Sequence, residues 1–211
     1  MTFILSFLLG FATAFIGISP PGLINMTAVK INLKEGKRTA LWFVLGAVLV
    51  IFFQTTVAIF FARVIDGKPA LILLLREIGC VVFAFLTVYF LWIAKKPKRK
   101  KGKIKKYSKS SRFFLGMLLS TLNLFPIPYY VLVSITLASY SLFSFDLFSI
   151  LIFVSGVVTG SFLVFYCYVS FFERIESKAD YIVRNMNTII GSITGIITLI
   201  TLWNISTYYL G

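Results

Sequence analysis

The sequence has no histidine, two cysteines and only seven acidic residues among 211. Each shortage closes off a chemistry. Without histidine the usual proton relay and the commonest metal ligand are missing. Cys80 and Cys167 stand alone in apolar runs, with no CxxC pair. That removes zinc ribbons, dithiol redox centres and a disulfide framework, and both cysteines read as small packing residues. No nucleophile–histidine pair, metal-ligand cluster or carboxylate pair is available, so the chain is expected to be no enzyme, with no catalytic residue, metal or cofactor. Charged residues of all kinds make up 13%, about half the usual share of a soluble domain. What is present instead is apolar: 59% hydrophobic residues and a mean hydropathy of +0.94. A chain this short cannot hide that much apolar surface inside itself. It reads as an all-α integral membrane protein.

Six apolar segments are long enough to cross a hydrocarbon core as helices: 3–31, 39–62, 70–94, 112–138, 146–171 and 185–208. None shows the two-residue alternation of a barrel strand. The first segment passes an A-x-A-like site at Ala12-Thr13-Ala14, but it has no basic leader and runs on to Pro20-Pro21-Gly22. It therefore reads as a span and not as a cleaved signal. Basic residues are divided unequally between the connections. Lys30, Lys34, Lys37 and Arg38 fall in the first, eleven lie between Lys95 and Arg112, and Arg174, Lys178 and Arg184 fall in the fifth. One side thus carries 18 and the other three, Arg63, Lys68 and Arg76. The richer side is expected to be cytoplasmic, with both termini outside. In a soluble protein a net charge of +14 would point to nucleic acid. Here the basic segment 95–112 is expected to meet anionic lipid headgroups, with no nucleic-acid partner.

An internal repeat is visible. Leu9-Gly10 is followed ten residues after the glycine by Pro20, and Leu115-Gly116 ten residues after by Pro126, an offset of 106 residues or half the chain. The unit is three spans, an odd number, so the halves must be inverted in the membrane. The expectation is one transporter-like domain: repeat one 1–94, a basic loop 95–111 and repeat two 112–211, with proline-broken first and fourth helices.

A proline removes an N–H and clashes with the carbonyl four residues back. Pro20 and Pro21 would free the carbonyls of Ile16 and Gly17; Pro126 and Pro128 would free those of Leu122 and Leu124. Gly22 weakens the first helix further. Freed carbonyls suit an ammonium group, and the N-terminus of a half-helix suits a carboxylate. A zwitterionic amino acid carries both. The candidate binding residues are Ser19, Pro20, Pro21, Gly22 and Asn25 at the first break, and Asn123, Pro126, Pro128 and Tyr129 at the second. Thr27, Ser120, Thr121 and Tyr130 lie nearby.

These residues resemble the LysE family of amino-acid exporters, which includes the RhtB-type translocators. Pro21-Gly22 stands where the family's Pro-Gly-Pro begins, Gly36-Lys37-Arg38 stands for its Gly-Arg-Arg, and Gly46 and Gly79 also fit. Leu23 replaces the second proline. In the second half the family's Asn-Pro-Lys is interrupted, because Asn123 is followed by Leu124-Phe125 before Pro126. The resemblance implies an exporter of amino acids or similar small zwitterions, driven by proton antiport. The alternative is a cation or metal-ion exporter or channel of the same superfamily. Thiol–disulfide carriers of that superfamily would need paired cysteines at the breaks, where Ser19 and Phe125 stand instead.

Two features remain. Gly156-x3-Gly160 in the fifth span, and Asn187, Gly191, Thr194, Thr198 and Thr201 in the sixth, form small or polar stripes at helical spacing. Close packing within the chain is the first reading, and a homodimer face or a substrate-path lining is the alternative. Glu77, next to Arg76, is the one acidic residue placed a turn or two inside a span. It reads first as an interfacial ion pair with Arg76, and it is the candidate for proton coupling.

Overall fold

A computed structural model describes residues 2–20, 22–94, 108–171 and 185–210. Among the described residues there are eight α-helices and no strand. They are α1 Thr2–Ile18, α2 Leu23–Glu35, α3 Lys37–Ile65, α4 Pro69–Val88, α5 Lys109–Leu122, α6 Pro126–Ser139, α7 Leu147–Phe171 and α8 Met186–Leu210. A π-helical turn, Tyr89–Ile93, prolongs α4. All six apolar segments are helical, and the first and fourth are broken at the prolines. The axis turns by 78° between α1 and α2 and by 62° between α5 and α6. By length and apolarity α3 and α7 each suffice to cross a membrane, and each bent pair does so jointly. Large apolar side chains such as Leu8, Phe53, Phe61 and Leu122 are exposed on the helix surfaces, as lipid contact requires.

Local residues explain the helix ends. Gly36 alone joins α2 to α3, at φ +90°, a left-handed conformation that favours glycine. Lys30 and Lys34 therefore sit on α2, and not in the first connection, to which the count of basic residues assigned them. The mean hydropathy of that stretch falls before the helix does, because the polar second half of α2 remains hydrogen-bonded up to Gly36. Ser108 caps α5 by accepting from the Ser111 N–H at 3.2 Å, and Asp146 caps α7 by accepting from the Ser149 N–H at 2.9 Å. Hydrogen bonds from the Ser144 hydroxyl and from Ser149 hold the Asp146 carboxyl below the usual carboxylate range.

The chain divides into two compact units. The first contains α1, α2, α3, α5, α6 and α7. Its core is two close helix crossings built from matching residues. Where α1 crosses α7, a Cβ on Gly10 would lie 2.1 Å from the Phe153 carbonyl oxygen, and one on Gly156 would lie 2.2 Å from that of Phe7. Where α5 crosses α3, a Cβ on Gly116 would lie 2.0 Å from the Phe43 carbonyl oxygen, and one on Gly46 would lie 2.0 Å from that of Phe113. Phe7 and Gly10 correspond to Phe113 and Gly116 at the 106-residue offset, and Phe43 and Gly46 correspond to Phe153 and Gly156 at an offset of 110. Each crossing thus pairs a helix of one half with a helix of the other. Gly160 continues the α7 stripe against Phe11 and Ala14 of α1. That stripe is used for packing within the chain.

The second unit contains α4, its π-helical turn and α8. The polar stripe of α8 faces α4. Asn187 donates to the Ala94 carbonyl at 2.9 Å, Gly191 receives the Leu91 side chain, and the Thr87 hydroxyl donates to that of Thr194 at 2.9 Å. The Cys80 thiol lies 4.0 Å from the Thr198 carbonyl oxygen. These residues serve close packing, and Cys80 is a packing residue. The lipid contact expected of the basic loop, and the placement of Arg174, Lys178 and Arg184, lie outside the described residues.

Candidate functional site

The first break begins where α1 ends at Ile18. Two carbonyls left without helical partners, those of Ile18 and Pro20, both accept from the Asn25 amide, at 2.8 and 3.0 Å. Asn25 is buried, on the first turn of α2. The Ser19 hydroxyl turns back to the Phe15 carbonyl, and the Ser19 carbonyl accepts from the Tyr168 hydroxyl of α7 at 2.6 Å. Pro20 is exposed and Gly22 half-buried, while Pro21 lies outside the described residues. Gly22 caps α2 without a side-chain hydrogen bond. The N–H groups of the first turn of α2, Leu23 to Asn25, thus form the donor set that a helix N-terminus leaves open.

The second break is built differently. Pro126 and Pro128 start α6 rather than kinking a continuous helix, as suits a residue with no N–H to offer. The donors between and after them are used locally: the Ile127 N–H bonds the Leu124 carbonyl and the Tyr129 N–H bonds the Phe125 carbonyl, each at 3.2 Å. The carbonyl of Leu124 is therefore not free, contrary to the proline-spacing argument. The carbonyls that seek a partner across the break are those of Ser120 and Asn123. Both accept from the amide nitrogen of Gln54 on α3, at 3.1 and 3.0 Å. The shift follows from where α5 ends, at Leu122, a full turn before the prolines. Asn123 contributes its carbonyl, whereas the residue itself is exposed, as is Pro128.

Tyr129 brings the two breaks together. It stands on the first turn of α6, yet its hydroxyl donates to the Thr13 carbonyl of α1 at 2.8 Å. Its ring lies against Gly17, where an added Cβ would come within 2.8 Å of it. It also stacks on Phe125, with centroids 5.7 Å apart. Glu77 lies on α4, in the second unit, where it accepts from the Tyr209 hydroxyl at 2.7 Å. The Arg76 side chain, its expected partner, lies outside the described residues. Among the described residues no three His, Cys, Asp or Glu side chains gather as metal ligands would.

Gln54 and Tyr168 were absent from the sequence-based candidates. A lone glutamine in an apolar span is a signal in itself, because a polar side chain there needs a partner. Tyr168 carries no comparable mark among the many aromatic residues.

Long apolar helices, two of the apolar segments broken at proline, and polar side chains bonding the carbonyls at those breaks together define a multi-pass membrane protein of the translocator kind. The profile of the LysE type translocator family matches residues 15–202, and the chain belongs to that family. Among curated proteins and among solved structures nothing matches it.

Proposed function

We propose that this translocator exports amino acids or similar small zwitterionic metabolites across the cytoplasmic membrane of a bacterium, by alternating access and with proton coupling. Six spans arranged as two inverted three-helix repeats would carry the motion, with both termini outside and the basic loop 95–111 at the anionic inner surface. The matched glycine–phenylalanine crossings support the repeat. The observation that carries the substrate class is the opposite polarity of the two breaks. The first has the N–H donors of the first turn of α2, which suit a carboxylate. The second has lost donors to proline and is lined by carbonyls that the Gln54 amide holds, an acceptor-rich end that suits an ammonium group. Tyr129 ties the two breaks together. Ser19, Pro20, Pro21, Gly22, Asn25, Asn123, Pro126, Pro128 and Tyr129 are the binding set of this reading, and Glu77 is its proton-coupling residue.

Gly22 makes a clean test. Its φ of −118° is open to any residue, and an added Cβ would find nothing nearer than the Pro20 carbonyl oxygen at 4.0 Å. Gly22→Leu should therefore fold while filling the space over the α2 N-terminus. Pro126→Ala should restore a donor to the second break. Cells loaded with dipeptides should release one or a few free amino acids selectively, and both variants should insert and lose that release. Normal release by both variants would overturn the site. No selective release of any amino acid would turn the reading toward a cation exporter, tested by tolerance to metal salts.

A further inference from the structure

At the second break two buried side-chain atoms have no hydrogen-bond partner: Gln54 Oε1 and Ser120 Oγ. Gln54 is 8% exposed, and Ser120 is fully buried. The orientation of the Gln54 amide is set by its neighbours. Its nitrogen must face the carbonyls of Ser120 and Asn123, because a carbonyl accepts and cannot donate. Its oxygen is then left as an acceptor without a donor. Ser120, whose carbonyl takes one of the Gln54 bonds, keeps its own hydroxyl unpaired as well. A buried acceptor without a donor is costly, and Gln54 carries that cost beside the two bonds that its nitrogen makes. The group is rich in acceptors: one amide oxygen, the hydroxyl oxygen of Ser120 and the Asn123 carbonyl, which keeps a second lone pair, whereas the Ser120 carbonyl already accepts from both Gln54 and the Asn123 N–H. It contains no carboxylate and no thiolate.

We infer that Gln54 and Ser120 form the subsite for the substrate's α-ammonium group and so decide that a free amine is required. This rests on the exporter reading above and assigns a residue pair outside its binding set. An ammonium group brings three donors and one charge, matching neutral acceptors without a competing cation of their own. Gln54 acts twice: its nitrogen holds the broken end of α5 and its oxygen receives the ligand. In the arrangement seen here the subsite is closed over, so the ligand reaches it only when the crossing of α3 with α5 opens toward one side of the membrane.

The test uses the full chain in lipid nanodiscs and two probes: the amino acid that efflux identifies, and the plain carboxylic acid with the same side chain but hydrogen in place of the amine. The wild type should bind the amino acid at least roughly tenfold more tightly than its des-amino counterpart, the loss expected for a hydrogen bond to a charged group. Ser120→Ala removes only an unpartnered hydroxyl and leaves both Gln54 bonds in place. It should lower that ratio several-fold while leaving des-amino binding unchanged. Gln54→Leu should bring the ratio close to one. If Gln54→Leu fails to fold, the Ser120→Ala ratio decides alone. An unchanged ratio in Ser120→Ala with wild-type-like amino-acid binding would overturn the subsite and leave the exporter reading standing. Failure of the wild type to bind any amino acid would remove both.

Discussion

Adding one methyl group at Gly116 should damage the first unit more than the same change at most other positions. The reason is geometric. The new Cβ would sit 2.0 Å from the Phe43 carbonyl oxygen and 3.1 Å from the Ala47 nitrogen, whereas ordinary contact begins near 3.4 Å. Both obstacles are backbone, so no rotamer change relieves them. α3 and α5 must move apart by roughly 1 Å, and a gap of that size forfeits a quarter to a half of each dispersion contact across the crossing. Overpacking of this kind costs about 1–3 kcal/mol. For a chain of this length that corresponds to a melting shift of very roughly 2–12 °C. Purified Gly116→Ala protein should show the shift in a thermal aggregation or fluorescence melt in detergent. Gly10→Ala, at the matching position of the other crossing with a 2.1 Å clash, should show a shift of similar size. Gly79→Ala, with nothing within 4 Å of its added Cβ, should melt like the wild type. Gly191→Ala should fall between them, because its nearest obstacle, at 2.6 Å, is the mobile end of Leu91. If Gly116→Ala and Gly79→Ala melt together, the close crossings are not what holds the unit. If Gly10→Ala and Gly116→Ala differ widely, the two crossings are not equivalent.

Three further outcomes follow from particular bonds. Arg112 and Glu35 form a two-pronged ion pair between the start of α5 and the end of α2, with Nε to Oε2 at 2.9 Å and side chains only 14% and 5% exposed. Glu35→Gln or Arg112→Ala should each cost about 3–5 kcal/mol in the same melt, and the double variant clearly less than their sum; additive costs would show that the pair is not coupled. Asn25→Ala strips the Ile18 and Pro20 carbonyls of their shared donor and should cost about 1–3 kcal/mol for each carbonyl left dry, whereas Asn25→Asp, which cannot donate when ionised, should be no better. The Asp146 carboxyl is held below its ordinary range by Ser144 and Ser149, so its contribution is fully present above about pH 4 and is lost as pH falls through the lowered folded value. Asp146→Asn should therefore flatten the acid limb of a stability–pH profile, and an unchanged acid limb would refute that role.

The helices were legible because lipid leaves the backbone few options. Every apolar run of the required length became helix, and Pro20 and Pro126 marked where two of them break. Gly10 and Gly116 lie at equal distances from those prolines, and both are points of close helix crossing. What escaped the sequence was the identity of the bonding partners. Proline sterics point to carbonyls four residues back, but that rule assumes a helix running up to the proline. α5 stops at Leu122, so the carbonyls of Ser120 and Asn123 matter instead, and their donor comes from α3, more than 60 residues away in sequence. No local pattern predicts a bond of that span. Tyr129 was found as a candidate from its place beside the prolines, yet its bond to Thr13 on α1 depends on how the two halves interlock.

The same geometry gives a physical reading of the departure from the family's second-half motif. With Pro126 at the first position of α6 and Pro128 at the third, the helix start holds one N–H among its first three residues, and that one is bonded to Leu124. The partial positive charge of a helix N-terminus resides largely in those open N–H groups, so α6 begins with little to offer an anion. α2 begins with Gly22-Leu23-Ile24-Asn25, all of which carry an N–H. Leu23, standing where the family has its second proline, thus adds a donor at the first break, while the proline pair subtracts donors at the second. Both departures push the two breaks toward opposite polarity. Pro128→Ala, which returns one N–H to α6, should weaken discrimination between an amino acid and its des-amino counterpart without disturbing the α2 end. Unchanged discrimination would mean that the proline pair serves the helix start alone.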